Sequence, residues 1–231
     1  ESPARAMRSK KDSSTVVGTN LVANNKVDAF VSAGSTGAVM AAGTFKIGRI
    51  KGVKRPAIGT VFPALEGQTL LLDAGANVDS KAVNLEVFAI DDHKIGLLSI
   101  KKKKKKGNKL TKQAYDLLAE EEMINFRGNV EGRDIFTGEF DVIVCDGFVG
   151  NVVLKTVEGL VKTIFKLVKS EVKDSLLAKI GGLFLKPVLS RVKQKLDYTE
   201  YGGAPLLGVD GVTIISHGSS NAKAISNAIK N

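Results

Sequence analysis

The 231-residue sequence has a single cysteine, so no disulfide framework can form within the chain, and this suits a reducing compartment. No apolar run is long enough to span a bilayer. The opening residues ESPARAMRSKKDSS carry charge but no apolar core, which argues against a signal peptide there; without an initiator methionine, the chain reads as a fragment. The patterns GxGxxG and GxxxxGK[ST] are both missing, so neither a standard dinucleotide site nor a P-loop is supported. No zinc-finger or RNP-type signature is present, and no aromatics interleave with the basic residues, so nucleic-acid binding is not expected.

The net charge is +10, but six of the 34 basic residues form one run, Lys101–Lys106. Without that run 28 basic residues face 24 acidic ones. The run follows a strand-like KIGLLSI and reads as a solvated loop or a stand-in for other residues, with polyanion or membrane contact as the competing use.

The chain is organised around DVIVCDGFVGNVVLKTVEGL, residues 141–160. Val142 to Cys145 form a short apolar run. Small residues follow, Asp146 to Asn151, and then helical spacing through Val153, Val157, Leu160, Val161, Ile164 and Val168. This predicts a buried strand, a turn and a helix, the junction at which α/β proteins bind anions. Three further junctions of this kind are predicted. DAFV (28–31) leads into Ser32–Gly37 and a small-residue helix, with Ser35 or Thr36 as N-cap. Thr69–Leu72 leads into Asp73–Asp79. Val212–Ile215 leads into Ser216–Asn221 and a C-terminal helix capped by Ser219 or Ser220. Further strands are expected at 57–61, 95–100 and 124–126, and a helix over KLTKQAYDLLAEEE. Strands alternating with helices give a mostly parallel α/β sheet with flanking helices, all four junctions lying along its carboxyl edge.

Residues 151–197 interrupt this rhythm with a basic amphipathic helical hairpin. Its first helix runs to Lys173, Gly181 and Gly182 make a turn, and Pro187 opens the next helix. Packing on the parent domain, a dimer interface and contact with an anionic membrane compete as its use.

At the junctions, Lys155 lies one helical turn beyond Asn151, so both can face a cleft and steady an anion. Asp73 can orient a base or a ligand hydroxyl. His217 can act as acid, base or donor, whereas His93 reads as an exposed loop residue. Cys145 beside Asp146 is a poor nucleophile, because burial and a neighbouring carboxylate raise its pKa.

The ordered set VDAFVSAGSTGAVMAAG, LLLDAGANVD, KGNKLTKQAYDLL, INFRGNVEGRDIF, DVIVCDGFVGNVVLKTVEG, YGGAPLLGV and HGSS covers most of the chain. It resembles the bacterial phosphate acyltransferases of phospholipid synthesis, the acyl-carrier-protein:phosphate acyltransferases. The resemblance implies a fold related to the isocitrate/isopropylmalate dehydrogenases and phosphotransacetylases, a homodimer, and a cytoplasmic enzyme held peripherally on the inner face of the cell membrane through the hairpin. It implies acyl transfer from acyl-carrier protein to inorganic phosphate, without metal or cofactor. It also implies one α/β acyltransferase domain over 1–231 that lacks the family's first βα unit with its DAMGGD-like motif. The stretch between Asp79 and Ile95 is shorter than in the family, and Lys101–Lys106 replaces a glycine and acidic residues.

For that chemistry the phosphate-binding candidates are the backbone N–H groups at Gly34, Ser35, Thr36, Gly218, Ser219 and Ser220, together with Asn77 and Gly147. The catalytic candidates are Lys155, Asn151 and His217, with Asp146 or Asp73 to orient the imidazole. Positioning and electrostatics are expected rather than a covalent intermediate. The alternatives are a dehydrogenase of the related fold and a non-enzymatic membrane or carrier-protein adaptor.

Overall fold

The computed structural model describes residues 3–87, 93–173, 175–196 and 201–230. Its centre is an eight-stranded sheet, and the strands most apolar in sequence sit deepest in it. They are β3 (Gln68–Leu72), β6 (Val142–Val144) and β4 (Lys94–Leu98), parallel to one another and flanked by β5 (Asn125–Val130). Leu71, Leu72, Ile95, Leu97 and Val142 to Val144 are all buried. Both faces of this block are covered, which is why its strands read as unbroken apolar runs. One face packs Leu85 of α4 (Ala82–Val87) and Ala114 and Leu118 of α5 (Lys109–Glu120). The other packs Phe62, Ile135, Phe140 and Cys145 against Val153, Leu154 and Val157 of α6 (Gly147–Lys173).

The opposite flank is the parallel pair β1 (Ala29–Ser32) and β8 (Val212–Ile215). Between the flanks lie two antiparallel strands, β2 (Ala57–Pro63) and β7 (Ala204–Leu207), so the order is β1-β8-β7-β2-β3-β6-β4-β5. The α/β reading holds, with a mixed, mostly parallel sheet. Helices α1 (Pro3–Ser9), α2 (Ser14–Ala23) and α3 (Thr36–Ala42), the last prolonged by a π turn over Gly43–Ile47, gather beside β1. Helix α8 (Ala222–Lys230) closes the chain.

The expectation of one common carboxyl edge is corrected by the pairing. β7 runs antiparallel to β8 and to β2, and β2 runs antiparallel to β3. β1 and β8 therefore point the opposite way from β3 and β6. Strand β7 was not expected from sequence, since a four-residue run containing Pro205 carries little strand signal.

Helix limits differ as well. Helix α6 begins at Gly147, so the small residues after Asp146 form its first turn rather than a loop. The Asp146 carboxylate accepts from the N–H groups of Phe148 and Val149 at 3.1 and 3.0 Å and caps it. Asn108, accepting from the Thr111 N–H at 2.8 Å, caps α5. Asn221, accepting from the Ala224 N–H at 2.9 Å, caps α8 in place of Ser219 or Ser220. In the hairpin, α7 (Leu176–Lys195) runs through Gly181, Gly182 and Pro187 without a break, and its N-cap is Ser175. The glycines there serve packing: a Cβ on Gly182 would lie 2.7 Å from Val172 Cγ1, so its absence lets α7 approach α6. The expected hairpin end at residue 197 lies outside the described residues. Among the described residues, no helix is long and apolar enough to cross a membrane.

The lysine run is an exposed loop between β4 and α5. Lys102 pairs with Asp134 at 3.3 Å and Glu139 at 3.5 Å, and Lys104 with Asp116 at 3.0 Å, the latter ammonium also lying 5.1 Å from the Tyr115 ring centre. His93 is exposed, as its sequence setting suggested.

Candidate functional site

A cavity of about 370 Å³ lies over the antiparallel middle of the sheet, floored by Ile58 and Thr60 of β2 and Ala204 of β7. The reversal of strand direction makes it possible. The ends of β3 and β6 supply one wall and the ends of β1 and β8 the other. Thr36, Gly75, Asn151, Lys155, His217 and Ser220 all line it, so one residue or more from each of the four junctions reaches a single space.

The first wall depends on two close approaches. A Cβ on Gly147 would fall 2.6 Å from the Asn77 backbone nitrogen, and one on Gly150 would fall 1.9 Å from the Asp73 carbonyl oxygen. Only glycine permits α6 to start this tight against the end of β3. The Gly147 N–H donates to the Asn77 carbonyl at 2.9 Å. Asn151, one turn on, then lies against Gly75, whose added Cβ would be 3.6 Å from the carboxamide oxygen. Gly75 holds φ +115°, a conformation side chains resist.

Asp73 and Asn77 build this wall from behind. Asp73 is fully buried. Its carboxylate accepts from the N–H groups of Ile58 (3.3 Å), Ala76 (2.8 Å) and Asn77 (2.7 Å) and from Asn77 Nδ2 (2.7 Å). Burial pushes its pKa up and these four donors pull it back. Asn77 Nδ2 also donates to the Pro56 carbonyl at 2.7 Å. Neither side chain lines the cavity, and both are committed to holding β2, β3 and α6 together. Asp146 is likewise committed as the cap of α6. Cys145 is buried, its Sγ 3.4 Å from the Asp73 carbonyl oxygen, and burial followed by the charges of Asp146 and Asp73 pushes its thiol far up.

On the second wall, the Ser219 N–H donates to His217 Nδ1 at 3.1 Å, with Ser219 Oγ 2.7 Å away. Nδ1 is therefore the acceptor, the Ser219 hydroxyl donates to it, and in the neutral ring the proton sits on Nε2. Several expected backbone donors are occupied: the Gly34 N–H by Ser32 Oγ (3.2 Å), the Ser219 N–H by the imidazole, and the Ser220 N–H by the His217 carbonyl (2.9 Å). Ser35 is the N-cap of α3 without a side-chain bond, and Thr36, the first residue of that helix, lines the cavity.

The sequence reading missed four lining groups. Glu158 pairs with Lys155 at 3.0 Å, so the cavity's ammonium carries a carboxylate partner. An incoming anion would compete with Glu158 for this ammonium. Its i,i+3 spacing from Lys155 was visible in sequence. Tyr201 and Gly202 sit on the loop before β7, where the Gly202 carbonyl accepts from Ser216 Oγ at 3.0 Å. Thr60 Oγ is buried and has no hydrogen-bond partner among the described residues. Its only sequence signal was a hydroxyl within the apolar run AIGTVFP. Among the described residues, no group of three or more His, Cys, Asp or Glu side chains is arranged to hold a metal ion.

The family described as "Fatty acid synthesis protein" matches residues 1–231. A phosphate acyltransferase of Halothermothrix orenii is 58% identical, over 100% of this chain and 73% of its own length. Those of Clostridium perfringens and Pelotomaculum thermopropionicum are 52% and 54% identical, with 71% and 70% of their lengths covered. Among solved structures, a phosphotransacetylase from Streptococcus pyogenes superposes with a TM-score of 0.60 at 16% identity, covering 93% of this chain and 67% of that one. A branched-chain phosphotransacylase from Enterococcus faecalis gives 0.53 at 12% identity, covering 92% and 74%. At such identities the structural likeness shows the fold.

Proposed function

The chain belongs to the family of fatty acid synthesis proteins whose curated relatives are phosphate acyltransferases, and from that premise we propose that its donor is acyl-carrier protein. It is an enzyme of acyl transfer to phosphate. In that reaction a phosphate oxygen forms a bond to the thioester carbonyl carbon, and the C–S bond breaks. The thiolate leaves with the electron pair and takes up a proton, giving acyl phosphate and free carrier protein.

The observation that carries the site assignment is the single cavity in which Thr36, Asn151, Lys155 and His217 meet. Phosphate lies against Lys155, the Asn151 carboxamide and the first turn of α3, where charge and unpaired N–H groups favour an anion. Phosphate displaces Glu158 from Lys155 as it binds. His217 donates through Nε2. The attacking phosphate is already anionic, so no strong base is required, and the inert Cys145 fits direct attack rather than an acyl-enzyme. The test is thiol release from acyl-carrier protein with and without phosphate. Phosphate-dependent release with formation of acyl phosphate is expected; release that ignores phosphate, or none at all, overturns the assignment.

The hairpin supports the reading of a peripheral, dimeric enzyme in the cytoplasm. Leu160 and Leu167 of α6 are 56% and 57% exposed, and Leu177 and Phe184 of α7 are 81% exposed, among many lysines. Burying the α6 stripe against a second copy and the α7 tip in an anionic surface removes both apolar exposures. Sedimentation with anionic vesicles is expected to fall on Phe184→Asp while the dimer persists. Equal binding to neutral vesicles would count against the membrane half of this reading.

A further inference from the structure

A second cavity, of about 420 Å³, adjoins the first between β2, α6 and α7. Its lining is more apolar, with Phe62, Phe136, Val157, Val161, Phe165 and Leu196, although Glu158, Lys162 and Lys193 also border it. Phe62 and Phe136 meet edge to face at 5.7 Å between ring centres and form a rigid part of its wall. On α6 the contributing positions recur at helical spacing, and Val157, Val161 and Phe165 are half-buried rather than packed away. Thr60, Val61, Leu154, Glu158 and Tyr201 line both cavities, so the two spaces share a boundary. The hydroxyl of Thr60, buried and unpartnered, lies on that boundary. An apolar trough alone is consistent with many occupants. A trough that shares a wall with an anion-suited cavity, with an unsatisfied hydroxyl on that wall, matches a molecule with a long apolar chain ending in a carbonyl that an anion attacks.

We propose that the acyl chain of the donor lies in this second cavity, with its thioester carbonyl oxygen receiving the hydrogen bond of Thr60 Oγ. The inference rests on the acyl-transfer reading above and deepens it by assigning the chain's subsite. Negative charge grows on the carbonyl oxygen during attack, so the Thr60 bond strengthens as the reaction proceeds. The cavity's depth along α6 sets which chain lengths are used.

The experiment compares wild type, Val161→Phe, Phe165→Ala, Thr60→Val and Thr60→Ser on medium-chain and long-chain acyl-carrier protein at saturating phosphate. Val161→Phe shortens the cavity and is expected to lower kcat/KM for the long chain relative to the medium chain, by about fourfold for each methylene excluded. Phe165→Ala lengthens it and is expected to move the ratio the other way. A ratio unchanged in both variants overturns the chain's placement. Thr60→Val is expected to lower kcat about 100-fold on both donors. It should leave the thermal midpoint equal or higher, because an unsatisfied buried group is removed, and Thr60→Ser should recover most of the rate. Unchanged kcat in Thr60→Val overturns its role. If wild type releases no thiol in the presence of phosphate, the parent reading fails instead, and this assignment falls with it.

Discussion

The backbone carbonyl of Asp73 and the Cα of Gly150 lie so close that a Cβ on Gly150 would sit 1.9 Å from the Asp73 oxygen. This approach sets the height of α6 above the end of β3, and with it the positions of Asn151 and Lys155. Gly150→Ala is expected to cost roughly 1–3 kcal/mol as an overpacked site. It should also raise KM for phosphate, because the helix must lift. Denaturant unfolding and phosphate titration measure the two effects; a stable variant with wild-type KM would show that the wall is not set here.

On the proposed reading, Lys155 and Glu158 make opposite contributions to anion binding. Lys155→Ala removes a charge-assisted contact and is expected to raise KM for phosphate about tenfold, the fold remaining intact. Glu158→Gln removes the competing carboxylate and is expected to lower that KM. If the two variants move KM in the same direction, their ion pair is structural.

The Ser219 N–H at His217 Nδ1 sets the tautomer. Nitrogen-15 NMR of the neutral ring is expected to show Nδ1 unprotonated and Nε2 protonated. His217→Gln, which keeps a donor but lacks the ring, should retain more activity than His217→Ala. A proton found on Nδ1 would contradict the hydrogen-bond geometry.

Cys145 reports on the buried end of β6. Its folded thiol pKa is raised above the ordinary value of 9.0, chiefly by burial. Above that pH the unfolded thiol has lost its proton and the folded one has kept it. This group's contribution to stability therefore falls as pH rises, at up to ~1.4 kcal/mol per pH unit. Wild type should show this extra slope relative to Cys145→Ala in the alkaline range. Alkylation of the native thiol should be slow until the protein unfolds.

Much of the architecture was legible because burial leaves a pattern. β3, β4 and β6 are covered on both faces and announced themselves as continuous apolar runs, and α5 by its 3.6-residue period. Strand direction was not legible. It depends on which strands pair, and β7, the strand that reverses the order, is four residues long and contains a proline. Glycines misled in the hairpin because a turn and a close helix approach call for the same residue: Gly182 faces Val172, not a bend. Of the residues singled out by their positions after strands, Lys155, Asn151, Thr36, His217 and Ser220 line the cavity. Asp73 and Asn77 occupy equivalent positions, yet their side chains turn inward, Asp73 to accept from backbone N–H groups and Asn77 to donate to the Pro56 carbonyl. Sequence does not distinguish a polar group that faces a ligand from one that faces the chain.

The reversal at β2 and β7 has a mechanical consequence. The register joins β7 to β2 through Ala57↔Leu207 and Ile58↔Leu206, and β7 to β8 through Ala204↔Ile215 and Pro205↔Ile214. The sheet is stitched there by a short seam, and the cavity straddles it. Opening a structure locally costs least where the fewest backbone bonds must be broken. The two walls can thus part along this seam more cheaply than either wall can lose its own shape.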